Sequence, residues 1–185
     1  MFKSNFLRWP RLVDRASIGL MEGDSRIIEL LNEQLTAELT AINQFLLHAK
    51  MQQDWGYVRL AKHSRKEAHE EQEHAARLTE RILFLEGAPN YQKLNALRIG
   101  QNVPEQLQGD LALEMENVTR LRPAVALMRE RGDITSARIF EEILADEEEH
   151  VDYLETELGL VDSLGEHNYL QRLTDAPGED FTEPV

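Results

Sequence analysis

The sequence predicts an all-α fold: a four-helix bundle with one long crossover between its second and third helices and a short fifth helix at the C-terminus. Three observations lead there. Apolar residues recur at spacings of three, four and seven along four long stretches. Two connections are tight turns, whereas the middle one is long and runs from Gly87 to Asn102. The apolar stripe of each long stretch is also broken by an acid, at comparable depth in every helix.

In "GDSRIIELL", Asp24 or Ser25 is the N-cap of the first helix. Its stripe of Ile28, Leu31, Leu35, Ile42 and Phe45 carries it to about Gln53. "DWGYVRL" turns into the second helix, which stops at "LEGAPN" with Gly87 and Pro89. The third helix takes Pro104 into its first turn, and Pro123 is expected to kink it. Gly132–Asp133 turns into a fourth helix spanning about Ile134 to Leu158, and the fifth covers about 166–173. The second and third helices are each about 40 Å long at the helical rise, and a connection of this length reaches about 50 Å when extended. The connection therefore travels the length of the bundle, and the third helix starts at the far end.

At 185 residues the chain suits one domain with a sizeable core, expected over 21–174. Residues 1–20 form a distinct extension, with Lys3, Arg8, Arg11 and Arg15 against Asp14. They lack the apolar core and cleavage site of a secretory signal. They read as an amphipathic arm, a docking tag or a start placed ahead of Met21. Residues 175–185 form a polar, acidic tail. The formal charge of −14, from 34 acids and 20 bases, disfavours nucleic acid and attracts cations. No apolar run approaches the ~18–20 residues of a membrane span. The absence of cysteine excludes disulfides and thiolate chemistry and suits a cytoplasmic location.

The acids in the stripes carry the chemistry. The first helix reads Leu31, Leu35, Glu38, Ile42, Phe45, and the third reads Leu107, Leu111, Glu114, Val118, Leu121. The second reads Leu60, Ser64, Glu67, Glu71, His74, Leu78, Ile82, Leu85, and the fourth reads Phe140, Ile143, Glu147, His150, Leu154. Glu67 shares the inward stripe without an assigned role. Burying an unpaired charge costs several kcal/mol. Four carboxylates and two histidines at one level would undo a domain stable by roughly 5–15 kcal/mol. Inward Lys and Arg are too few to balance them, whereas two divalent cations suffice.

An internal repeat supports this reading. Glu38 to Glu114, Glu71 to Glu147 and His74 to His150 are separated by one and the same sequence offset. In both halves the lone Glu also precedes the Glu-x-x-His by an identical interval. One Glu-x-x-His on a helix is a weak signal; a doubled one at matched offsets is specific. The donors are oxygen and nitrogen only, which suits iron or manganese, with zinc also able to bind. The expected arrangement has Glu71 and Glu147 bridging two ions, Glu38 and His74 completing one shell, and Glu114 and His150 the other. A ligating histidine usually gives its second N–H to an acceptor. Glu70 and Asp146, related by the same offset, are the candidates.

From Met21 to about Leu173 the chain resembles the bacterioferritins, ferritin-like iron-storage proteins. The resemblance rests on "LTAELTAINQFLLHAKM", "ERILFLEGAPN", "DLALEME", "ILADEEEHVDYLETEL" and "NYLQ". It implies a hollow cage of 24 subunits with the fifth helix lining its fourfold channels. It also implies that Fe(II) is oxidised by O2 or H2O2 at a di-iron ferroxidase site within each subunit, and that a ferric mineral fills the cage. The six positions coincide with the family's ferroxidase ligands, and a ferredoxin-type reductant for iron release is a further implied partner. A rubrerythrin-like peroxidase or a manganese catalase is a competing di-metal reading; the absent cysteine disfavours the former, and the long resemblance to bacterioferritins, fifth helix included, disfavours both.

The chain departs from the family pattern in three places. Bacterioferritins bind haem between subunits through a Met directly after the bridging Glu of the second helix. Here that residue is Gln72, and Met1, Met21, Met51, Met115 and Met128 all lie elsewhere. No haem axial ligand carries over, which implies either a haem-free cage or a hetero-oligomer with a haem-bearing subunit. The redox-active aromatics of some members correspond to Phe45, Leu78 and Tyr153, of which only Tyr153 suits electron donation. An inner-surface iron site would fall on Lys66 and Glu70 and is not carried over. His48, His63, His69 and His167 read as surface or packing residues.

Overall fold

Five helices make up the described residues, 23–174 of a computed structural model: α1 (Ser25–Asp54), α2 (Val58–Phe84), α3 (Val103–Glu130), α4 (Ile134–Leu164) and α5 (Glu166–Leu173). The expectations for the N-terminal extension, a start at Met21 and the acidic tail lie outside these residues. Local chemistry accounts for the helix starts. Asp24 caps α1 by accepting from Arg26 N at 2.8 Å, and Asp133 caps α4 by accepting from Ser136 N at 3.0 Å. Asn102 caps α3, accepting from Glu105 N at 2.9 Å, while Glu105 reaches back to Gln101 N at 2.8 Å.

The two hairpin turns are built alike. Gly56 and Gly132 both have positive φ, 86° and 78°, a conformation that glycine adopts without Cβ strain. The residue after each donates its N–H to a carbonyl five back, Tyr57 to Gln52 and Asp133 to Met128. These glycines are related by the same offset as the paired acids, so the internal repeat reaches into the turns. The third helix runs through Pro123 without interruption.

α4 continues past the expected Leu158 to Leu164. Gly159 does not stop it; Gly165, with φ 76°, does. The extra turns place Leu160 and Val161 against Tyr169, Leu170 and Leu173 of α5. An interior glycine costs only about 1 kcal/mol, which this burial outweighs. Tyr169 is fully buried and its hydroxyl donates to Glu157 at 2.6 Å.

α1 pairs with α2 and α3 with α4, and the core comprises a small cluster of Ala41, Phe45, Ala68 and Leu113 and two large apolar ends. One is formed by Ile27, Leu31, Leu35, Leu78, Ile82, Leu121, Met128, Phe140 and Ile143. The other gathers Leu60, Val103, Leu107, Leu154, Tyr169 and Leu173. The start of α3 thus lies beside the start of α2, and α2 and α3 run parallel, as the long connection predicts.

That connection is zipped to α1 by backbone N–H groups. Asn90 N donates to Asn32 Oδ1 at 2.8 Å, Asn95 N to Thr40 Oγ1 at 2.9 Å, Arg98 N to Gln44 Oε1 at 2.8 Å, and Gly100 N to His48 Nε2 at 3.3 Å. Asn32 to His48 spans about 24 Å of helix, covered by the chain from Asn90 to Gly100. Peptide N–H groups turned inward against a helix need such partners, even where the side chains of the connection are exposed. Since Gly100 donates to Nε2, His48 carries its proton on Nδ1, 2.9 Å from Asp110 Oδ1. His48 is a buried packing residue.

Gly100 is where the connection presses on α3. A Cβ there would meet Gln106 N at 2.3 Å and Glu105 C at 2.6 Å, both backbone. Gly100→Ala is expected to destabilise the fold by about 1–3 kcal/mol, measured as a lower denaturation midpoint with an unchanged m-value.

Candidate metal centre

The polar level between the two apolar ends holds all six predicted residues. Glu38, Glu71, Glu114 and Glu147 have no solvent exposure, and His74 and His150 are buried. They fall into two overlapping groups. Glu38, Glu71, His74 and Glu147 form one; Glu71, Glu114, Glu147 and His150 form the other. Within each, one donor atom per residue lies within 4.8 Å of all the others. Glu71 and Glu147 belong to both, and they are the pair expected to bridge.

Each carboxylate is anchored by one oxygen and free at the other. Glu38 Oε1 accepts from Gln34 Nε2 at 2.8 Å, and Glu71 Oε2 lies 3.0 Å from His74 Nδ1. Glu114 Oε2 and Glu147 Oε1 both accept from Asn117 Nδ2, at 2.9 and 3.4 Å. The partner oxygens, Glu38 Oε2, Glu71 Oε1, Glu114 Oε1 and Glu147 Oε2, have no well-formed hydrogen bond, nor does His150 Nδ1, which lies 3.3 Å from Glu71 Oε1 and 3.5 Å from Glu147 Oε2. Buried polar atoms are rarely left so. Five lie in one cluster, all on residue types that can ligate a cation, and the group could hold metal ions.

The histidines are held from behind. His74 Nε2 lies 3.1 Å from Asp146 Oδ2. By the repeat, Glu70 should hold His150 in the same way, but the structure differs. Glu67 Oε2 sits 2.8 Å from His150 Nε2, whereas Glu70 is 3.6 Å away. The reason is local: Lys66 Nζ draws both Glu70 oxygens to 2.8 Å, and Glu67 points inward on the same stripe as Glu71. Tyr153 stacks on His63 at 3.7 Å between ring centroids. His69 and His167 are exposed.

Sequence reasoning missed Gln34, Asn117 and Arg120. Arg120 donates to Gln34 Oε1 at 3.1 Å and to Asn117 Oδ1 at 2.5 Å. Their spacing was the available signal, since Gln34 is one turn before Glu38 and Asn117 one turn after Glu114.

Residues 28–164 match the ferritin-like domain. The chain is 54% identical to a bacterioferritin of Mycolicibacterium paratuberculosis over 157 residues, 85% of this chain and 99% of the relative. The chain belongs to the bacterioferritin family. It is also 53% identical to the Streptomyces coelicolor bacterioferritin over 164 residues, covering 89% of this chain and 98% of that one. Among solved structures, Mycobacterium tuberculosis bacterioferritin BfrA aligns with a TM-score of 0.84 at 53% identity, covering 85% of this chain and 99% of that chain.

Within this bacterioferritin fold, burial and mutual repulsion shift the site's carboxylates together. Burial lifts Glu38 and Glu114 well above the usual carboxylate range, reinforced by Glu71 and Glu147 respectively. Glu147 is pushed up to about 8 by burial, then by Glu71 and Glu38. Burial alone would lower His150, but Glu147, Glu67 and Glu71 around it raise it. Gln72, one residue past Glu71, faces outward and is exposed. No helix among the described residues is long and apolar enough to cross a membrane.

A pH dependence follows. In the metal-free fold, Glu147 and His150 hold protons that the unfolded chain releases above about 4.5 and 6.5. Stability then falls as pH rises from about 5 towards 8, because the folded state binds more protons. The melting temperature of metal-free protein is expected to drop by roughly 5 °C between pH 6 and 8. Scanning calorimetry of Glu147→Gln should show a flatter slope.

Proposed function

We propose that this chain is a ferroxidase subunit of an iron store. The free oxygen on each of four buried carboxylates carries the reading. In it, Glu38 and His74 take one ion, Glu114 and His150 the other, and Glu71 and Glu147 share both. All six are the catalytic residues of the reading, because they touch the reacting metal. Iron is the substrate. Two Fe(II) give two electrons to O2, which takes up two protons and leaves as H2O2; with H2O2 as oxidant, two more protons yield two waters. Four carboxylates lower the electrostatic cost of the extra charge as Fe(II) becomes Fe(III). Asp146 and Glu67 fix the ring orientations of His74 and His150.

A cleft of about 290 Å³ opens beside the site, where Glu67, Glu70, Glu73, Asp146 and Glu149 outnumber Lys66 and Arg77 around His74 and His150. Its acidic walls concentrate cations and offer the iron a way in. Tyr153 also lines the cleft, and in this reading its phenol supplies an electron. In the proposed assembly 24 copies enclose the ferric mineral in a cage working in the cytoplasm. A ferredoxin-type reductant would release the iron.

Fe(II) added aerobically to the metal-free protein is expected to oxidise with two ions per chain in a fast phase. Glu71→Ala with His150→Ala should slow that phase by about 10²-fold or more. Stopped-flow absorbance checks this, and a rate no faster than buffer for the wild type refutes the reading.

Gln72 favours one variation, a hetero-oligomer in which a haem-bearing subunit supplies the missing axial Met. Cages made from this chain alone are expected to show no Soret band after haem addition, and Gln72→Met to gain one. Native mass spectrometry of endogenous cages distinguishes the mixed assembly from a homopolymer.

A further inference from the structure

We infer that Arg120 is a positioning residue for the di-metal site, acting through Gln34 and Asn117. The inference rests on the site reading above.

A primary amide presents an oxygen at one end and an NH2 at the other, and either can face a neighbour. Gln34 and Asn117 are buried at 0% and 1% exposure, so water does not choose for them. Arg120 does. A guanidinium only donates, so its two contacts, Nε to Gln34 Oε1 and a terminal nitrogen to Asn117 Oδ1, claim both amide oxygens. Both NH2 groups are thereby turned towards the carboxylates, Gln34 onto Glu38 and Asn117 onto Glu114 and Glu147. One arginine thus sets which oxygen is anchored on three of the four carboxylates, and which is left free.

The interposed amides matter chemically. An arginine placed directly on these carboxylates would form bidentate pairs and occupy the lone pairs a metal needs. Held one residue back, it orients them without competing as a partner. The two halves of the chain differ here. The positions that the repeat matches to Gln34 and Arg120 are Asp110 and Gln44, and Gln44 Nε2 donates to Asp110 Oδ1 at 2.7 Å. The same α1–α3 contact exists on both sides of the site, but only the Arg120 side is tied into the carboxylates.

Positioning and simple charge predict opposite signs. Removing a positive charge near a cation site tightens binding if charge is all it contributes. Releasing two amides to turn their oxygens on the carboxylates weakens it. Co(II) binding to the metal-free, assembled protein, followed by its d–d absorption, tests this. Wild type should bind two ions per chain. Arg120→Met is expected to weaken binding by about 10-fold or more and to alter the d–d band shape at saturation. Arg120→Lys, which keeps the charge and one donor nitrogen, should recover part of both and covers the case of a Met variant that does not fold. In a Gln34→Leu, Asn117→Val background, Arg120→Met should cause no further weakening. Unchanged or tighter Co(II) binding in Arg120→Met with wild-type spectra overturns the inference while leaving the site intact. Failure of the wild type to bind Co(II) overturns the site reading and the inference together.

Discussion

Four carboxylates crowd one level of a helical bundle, in a medium that screens charge poorly, and the surrounding structure is arranged around that repulsion. Glu38, Glu71, Glu114 and Glu147 are fully buried and each leaves an oxygen free. Without cations, burial and mutual repulsion lift their pKa values, so the level relaxes by holding protons. In the proposed reading, cations take the same oxygens as ligands and displace the protons. The apolar ends above and below supply the stability that lets this level persist in either state.

Holding such a level in register needs stiffness on every side. The crossover supplies some of it, because its peptide groups are fastened along α1 from Asn32 to His48. Polar side chains of α1 therefore serve two directions: Gln44 and His48 bind the connection and also Asp110 of α3. Arg120, Gln34 and Asn117 close the other flank. The network joins α1 to α3, two helices that are not consecutive in the chain.

The doubled motif gives approximate twofold symmetry, and the departures from it are informative. Asp146 backs His74, but Glu67 rather than Glu70 backs His150, since Lys66 diverts Glu70. Gln34 is matched by Asp110 and Arg120 by Gln44. Repeated halves produce two similar half-sites; individual substitutions then make their surroundings unequal.

The six candidate ligands, the parallel course of α2 and α3 and the five helices were legible in the chain. Each depends on helical periodicity or on connection length, which are properties of one segment at a time. The family was legible for the same reason, as its motifs lie on single helices. The tertiary structure decided what needs two helices in register: which carboxylate oxygen meets which amide, that Glu67 displaces Glu70, and that Arg120 commands two amides from α1 and α3. It also decided where α4 ends, since burial against α5 overrides the local cost of Gly159. Periodicity tells which face a side chain occupies; only the packed neighbours tell which atom of it is left free.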